Sequence, residues 1–511
     1  DLRRIKRNSA EYHGEDGAWP VVERLKRAQR MAIGSHGKPS YLTRIAFGVG
    51  GVADGVKNNG FDYFLLFYYS QVLGVSASLV AAALFIALVV DAVSDPVVGY
   101  WSDNFRTRLG RRHPFMYASM VPVAIAYYFA WNPPAGLAGN DLFLWLVVFT
   151  ICVRILFTMY EVPQNALAAE LTSDYDARTS LMSFRYFFAW VGGLSIQIAL
   201  LALLLRPTEA DPSGFFNKDG WQTYGLWASI VIFLAVLATT AGTHSHIPHL
   251  KPPPPQRKLT LGTIFREILE TVSNPSFRAL FLATLFGLLA TGISASLNQY
   301  INGLFWEFTT DQTALLTVAV YISAVIALIV APIVGKTLGK KRGAIIIGVL
   351  AFTIAPAPVL ARVLGLMPPN GTDALFNIVI SVTIFDLALI IATQMLMGSM
   401  IADIVEDSEL ETGRRSEGIF FAGISFIRKL AQGSGVMLAA IVLSVASIAP
   451  GMRPGMVPEA QLKVLGLGYA ASLLTIWMLM IFCVSFYRIS REGHEANLRA
   501  LSEREQRLAG D

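Results

Sequence analysis

Long apolar runs separated by short polar gaps dominate the chain. Each run is about 20 residues or more, enough to cross a bilayer as a helix. About twelve are legible, at 41–71, 76–103, 114–132, 141–170, 180–206 and 221–243, then at 276–303, 310–335, 343–366, 373–404, 417–448 and 463–487. The segment between the sixth and seventh runs, 244–275, is polar and contains Pro252 to Pro255 in succession. A proline run is extended and cannot continue a helix, so this segment reads as a linker. The expected layout is an N-terminal segment (1–40), a six-helix half (41–243), the linker (244–275), a second six-helix half (276–488) and a tail (489–511).

Charge in the gaps gives the orientation. Arg106, Arg108, Arg111 and Arg112 follow the second run, Lys336, Lys340, Lys341 and Arg342 the eighth, and Arg414 and Arg415 the tenth. Lys251, Arg257, Lys258 and Arg266 lie in the linker, while 71–77, 132–141 and 303–310 hold neither Lys nor Arg. The positive-inside rule places both termini and the linker in the cytoplasm, with Arg206, Lys218, Arg362 and Arg453 as scattered exceptions. A cell (inner) membrane location follows. Residues 19–31 are basic and could lie as an amphipathic helix on the inner leaflet; a solvated tail is the plainer alternative.

Composition agrees. Of 511 residues, 54% are hydrophobic and 15% charged, against about 25% charged in soluble domains. The net charge of +5 sits mostly in the gaps, so orientation explains it and nucleic acid is not an expected partner. Cys152 and Cys483 fall inside apolar runs and suggest neither a disulfide nor a metal site. His244, His246 and His249 make no convincing zinc set. No phosphate loop and no nucleophile–base motif appears, so an enzyme is not expected, and no cofactor.

Asp91 and Asp95 break the second run. Residues four apart share a helical face, and each acid at membrane depth costs about 2.5–3.5 kcal/mol. A cation between them would let both stay ionised, and carboxylate oxygens suit a hard ion such as Na⁺. A proton could serve instead, because such a pair titrates as one unit. A purely structural pair, satisfied by Arg or Lys, is the alternative. The two halves repeat: Asp95-Pro-Val-Val-Gly99 before Leu109-Gly-Arg-Arg112, and Ala331-Pro-Ile-Val-Gly335 before Leu338-Gly-Lys-Lys-Arg342. Ala327 and Ala331 take the places of the two acids, so the fold itself does not require them.

In the first run, Asp54, Asn58 and Asp62 share a face by spacing, which should line water or solute. Lys57 could pair with a nearby acid, and Asp386, a lone acid in the tenth run, with Lys429. Asn298, Gln299, Tyr300, Asn302 and Gln394 could offer hydrogen bonds from the second half. Asp103 reads as a gate or loop salt bridge. With Arg111, Arg112, Asp403, Glu406 and Arg414, it could form charge locks at the inner ends of the halves.

The stretch from Asp91 through Gly99, Asp103, Gly110, Arg111 and Arg112 to Phe115 resembles the glycoside–pentoside–hexuronide:cation symporters, the melibiose permease family of the major facilitator superfamily. Phe47 to Gly50, Leu66 to Tyr69, Tyr160 to Pro163, Arg185, Ile401 to Glu406 and Lys429 extend the resemblance over most of the chain. It implies an all-α membrane fold of about twelve helices in two halves. It also implies symport of a sugar or glycoside-like small molecule with Na⁺ or H⁺, by a monomer. By position, the implied cation site is Asp91, Asp95, Thr158 and Glu161. The implied solute contacts are Asp54, Glu161 and Arg185; Asn58, Asn165 and Lys429 are further candidate contacts. Asn165 stands where melibiose-type permeases carry a tryptophan, so a galactoside is not implied, and an amphipathic or lipid-like solute is the rival. A non-transporting sensor of the same fold is a further alternative.

Overall fold

The computed structural model describes residues 39–172, 174–209, 211–249, 275–412 and 417–488. These are helical throughout. Before the linker run α1 (Tyr41–Asn59), α2 (Ala77–Asn104), α3 (His113–Trp131), α4 (Gly139–Leu171), α5 (Tyr175–Ala199) and α6 (Lys218–His244). After it come α7 (Pro275–Tyr300), α8 (Thr310–Thr337), α9 (Lys340–Ile354), α10 (Ala357–Val363), α11 (Asp373–Thr412), α12 (Glu417–Val445) and α13 (Glu459–Ser485). Pro356 separates α9 from α10 within a single apolar run. Among the described residues, nine helices or helix pairs are long and apolar enough to span a membrane. The N-terminal segment, most of the linker and the tail lie outside the described residues.

Caps and turns set the helix ends. Ser40, Asp174 and Asn217 accept from the amides of Thr43, Ala177 and Gly220 at 3.2, 2.8 and 3.0 Å. Each side chain satisfies one of the free N–H groups of a first turn. Thr309 and Gln312 form a reciprocal capping box at α8. The repeated basic turns are alike in the backbone. Gly110 and Gly339 have φ of 77° and 78°, a left-handed conformation that glycine adopts without penalty.

The two parts also pack alike. α1 lies on α5 and α6, α2 on α4, and α3 on α4 and α6; α7 lies on α12 and α13, α8 on α11, and α9 on α11 and α13. Between the parts, α2 meets α12 and α5 meets α8. At the end of the bundle far from the 104–113 turn, the Ser70 and Tyr300 hydroxyls lie 2.6 Å apart, and Gln71 donates to the Ala449 carbonyl at 3.2 Å. Thr310 also donates to the Leu205 carbonyl there.

α1 is pressed hard against α5. Added methyls on Gly51 and Gly55 would overlap the carbonyls of Arg185 and Ala189. Beyond Asn59 the helix widens into π-turns over Gly60–Leu65 and Tyr68–Val72. Such turns shift the register of every later side chain and are frequent at functional sites.

Candidate functional site

The polar residues of α1, α2, α4, α5 and α12 converge between the two parts. On α2, Asp91 is buried and Asp95 partly so. Thr158 of α4 donates to both, at 2.8 Å to Asp91 Oδ1 and 3.1 Å to Asp95 Oδ1. Their other oxygens face α12. There the Lys429 ammonium lies 2.8 Å from Asp91 Oδ2 and closer still to Asp95 Oδ2. One cationic group thus touches both acids, from the opposite part of the bundle. Ser94 donates to the Asp91 carbonyl at 3.0 Å. Pro96 lies inside α2 and deprives the Ala92 carbonyl of its helical donor.

A second cluster joins α1, α4 and α5. The Arg185 guanidinium pairs with Asp54, donates to Gln164 Oε1 at 2.9 Å and lies 3.9 Å from Glu161. Gln164 in turn donates to the Phe47 carbonyl at 3.0 Å, which ties Arg185 to α1. Lys57 is 3.6 Å from Glu161 and 3.9 Å from the centre of the Phe157 ring. Three buried polar atoms nearby, Asp54 Oδ1, the Tyr160 hydroxyl and Asn165 Oδ1, have no hydrogen-bond partner.

The π-turn carries Asp62 toward α12, where Gln432 donates to it. Asn58 is exposed. Asp54 and Asp62 therefore turn to different helices, Asp54 to α5 and Asp62 to α12.

Arg154 has no place in the sequence motifs. It is buried on α4, one turn from Thr158, with a terminal nitrogen 3.6 Å from Asp91 Oδ2 and its guanidinium 5.3 Å from the Phe61 ring centre. Its signal in the sequence is a lone guanidinium in the uncharged run Leu142 to Tyr160. With all groups ionised, Asp54, Asp62, Asp91, Asp95 and Glu161 supply five negative charges, and Lys57, Arg154, Arg185 and Lys429 four positive ones.

Several expectations need redrawing. Lys429 pairs with Asp91 and Asp95, not with Asp386. Asp386 is buried and accepts from the Leu387 amide at 2.6 Å. Glu161 lies with Lys57 and Arg185. At the turn, Asp103 pairs with Arg112, and Glu170, absent from the motif reading, takes both Arg111 (3.0 Å) and Arg112 (2.8 Å). Asp403 is bound by Lys340 at 2.7 Å and by the Tyr487 hydroxyl at 3.3 Å. The Glu406 side chain and Arg414 lie outside the described residues. Asn298 accepts from Gln299 and Asn302 at 3.0 and 3.1 Å, and Gln394 is exposed. Among the described residues no cluster of His, Cys, Asp or Glu fits a metal ion.

The family model for MFS/sugar transport proteins matches residues 46–491. The chain belongs to that family. This MFS/sugar transport protein is 22% identical to a putative glycoside/cation symporter of Escherichia coli, over 90% of its own length and 94% of the relative's. It is 25% identical to the mouse sodium-dependent lysophosphatidylcholine symporter 1, over 94% and 90% of the two chains. Its fold matches a bacterial homologue of the lysosomal transporter Spinster, with a TM-score of 0.58, 14% identity and coverage of 89% and 97%.

Proposed function

We propose that this transporter is a cation-coupled symporter of a hydroxylated, sugar- or glycoside-like solute, working by alternating access with both termini in the cytoplasm. The observation that carries the reading is the Lys429 ammonium lodged between Asp91 and Asp95. An Na⁺ ion or a proton competes for the same oxygens. Its arrival neutralises the pair and frees Lys429, which belongs to the other part of the bundle. The freed ammonium then turns to a solute hydroxyl or anionic group. Solute and cation so favour one another, and the coupling is reciprocal.

The solute would bind beside Arg185, where Asp54 Oδ1, the Tyr160 hydroxyl and Asn165 Oδ1 have hydrogen-bonding capacity to spare. Asp54, Asn58, Glu161 and Lys429 complete the proposed contacts. The resemblance to a glycoside/cation symporter supports this class. Asp103, Arg111, Arg112, Glu170 and Asp403 are proposed to hold the cytoplasmic ends.

One observation favours a second reading, an amphipathic solute. Tyr186, Phe187 and Trp190 form an exposed aromatic stripe on α5 next to Arg185, able to accept an acyl chain whose head group reaches the charged centre.

The test is uptake into proteoliposomes under an imposed Na⁺ or H⁺ gradient, over a panel of pentosides, hexosides and lysolipids. The wild type is expected to accumulate one class, while Asp91→Asn and Asp95→Asn insert in the membrane and fail. Full gradient-driven uptake by both variants would sink the coupling role, and lysolipid uptake alone would replace the sugar reading.

A further inference from the structure

Arg154 sits in an unusual balance. Its ion pair with Asp91 Oδ2, at 3.6 Å, is too long for a hydrogen bond. Its Nε is buried with no hydrogen-bond partner. The guanidinium is thus held by charge and by the face of Phe61, not locked in a fork. The residue after Phe61 is Asp62, which lies within electrostatic reach of Arg154. Asp62 belongs to the π-turn of α1 and takes its hydrogen bond from Gln432 on α12. Arg154 therefore acts on two carboxylates with different attachments. One belongs to the proposed cation site, and the other makes a bond between the two parts of the bundle.

Other charges bear on the same groups. Lys57 acts on both Asp91 and Asp62, and Lys429 acts on Asp91 and Asp95. Lys57 likewise lies 3.6 Å from its acid, Glu161, whereas Lys429 touches both α2 acids directly. Arg154 carries a buried donor nitrogen with no hydrogen-bond partner, so it can redistribute.

The geometry points to Arg154 as a positioning residue that reports cation occupancy at Asp91 to the Asp62–Gln432 bond. With a cation at Asp91 and Asp95, the attraction on Arg154 from that side is cancelled. The guanidinium turns to Asp62 and competes with Gln432 for its oxygens, loosening a contact between α1 and α12. This deepens the symport reading and rests on it.

The experiment uses the purified full chain in detergent. NaCl is titrated against choline chloride at constant ionic strength, and the midpoint of the Na⁺-dependent rise in melting temperature is read. Arg154→Gln removes a positive charge competing with Na⁺ for Asp91. At the effective dielectric constant of proteins, a unit charge a few ångströms away is worth at least about tenfold in affinity, so the midpoint should fall by that much. Arg154→Lys, which keeps the charge, should restore it. Asp62→Asn removes the alternative seat of Arg154 and should weaken Na⁺ binding in the wild-type background, but much less in the Arg154→Gln background. Such non-additivity is the signature of a shared partner. A wild type indifferent to Na⁺, and to protons in a parallel pH titration, overturns the symport reading and this inference together. A responsive wild type with an unchanged or raised midpoint in Arg154→Gln, or additive effects of the two substitutions, overturns the inference alone. If Arg154→Gln does not fold, Arg154→Lys and Asp62→Asn still decide it: a midpoint unmoved in Asp62→Asn refutes the coupling.

Discussion

Replacing Lys429 by Gln should separate the stability of the charged centre from its affinity for a cation. In the wild type the ammonium lies 2.8 Å from Asp91 and also touches Asp95, with Lys429 only 16% exposed and Asp91 only 5%. At an effective dielectric constant near 20, each such pair attracts by about 6 kcal/mol before desolvation is counted. Removing one member of a buried pair costs about 3–5 kcal/mol net, because the surviving charge is stranded. Here two carboxylates are stranded together. The Lys429→Gln protein should be clearly less stable in choline than the wild type. Na⁺ would enter a site with no resident competitor, so its affinity should rise. If only about 3 kcal/mol of the lost attraction is recovered on binding, the gain is about a hundredfold. Isothermal titration of Na⁺ into the purified protein measures this directly, and melting in NaCl against choline chloride measures the rescue. A Lys429→Gln protein that binds Na⁺ with unchanged or weaker affinity would refute the competition between ammonium and cation. Lys429 would then be a structural strut only.

Two further substitutions probe the frame around the site. Gly55→Val should destabilise the protein by about 1–3 kcal/mol or more, because any Cβ there overlaps the Ala189 carbonyl; a melting temperature equal to the wild type would show that α1 and α5 do not approach so closely in solution. Tyr300→Phe removes the hydroxyl 2.6 Å from Ser70, a loss of about 1 kcal/mol from the contact between the two parts at the far end. Spin-label distances across that end should shift toward longer separations, and an unchanged distribution would remove Tyr300 from the closure.

The helical frame was legible because bilayer-length apolar runs leave few alternatives. The acid pair was legible as a cost without visible repayment. The partners were harder to see, since pairing across more than 300 residues leaves no periodicity. Lys429 could be matched to Asp386 as reasonably as to Asp91, and only packing decides between them. Arg154 and Glu170 were visible as charges, but their roles depend on which helices adjoin. The π-turns of α1 were not legible at all. Helical spacing assigns Asp54, Asn58 and Asp62 one common face, whereas Asp54 turns to Arg185 on α5 and Asp62 to Gln432 on α12.

The alanines of α8 carry a consequence for how carriers of this build diversify. Ala327 and Ala331 are fully packed where the first half has Asp91 and Asp95, so the same local framework accepts either set. Loss of the acids alone would strand Lys429 and Arg154 as unbalanced charges in the membrane. A lineage abandoning ion dependence must therefore lose its acids and its bases together, and a descendant that drifted to a passive facilitator should show neutral residues at all four positions at once.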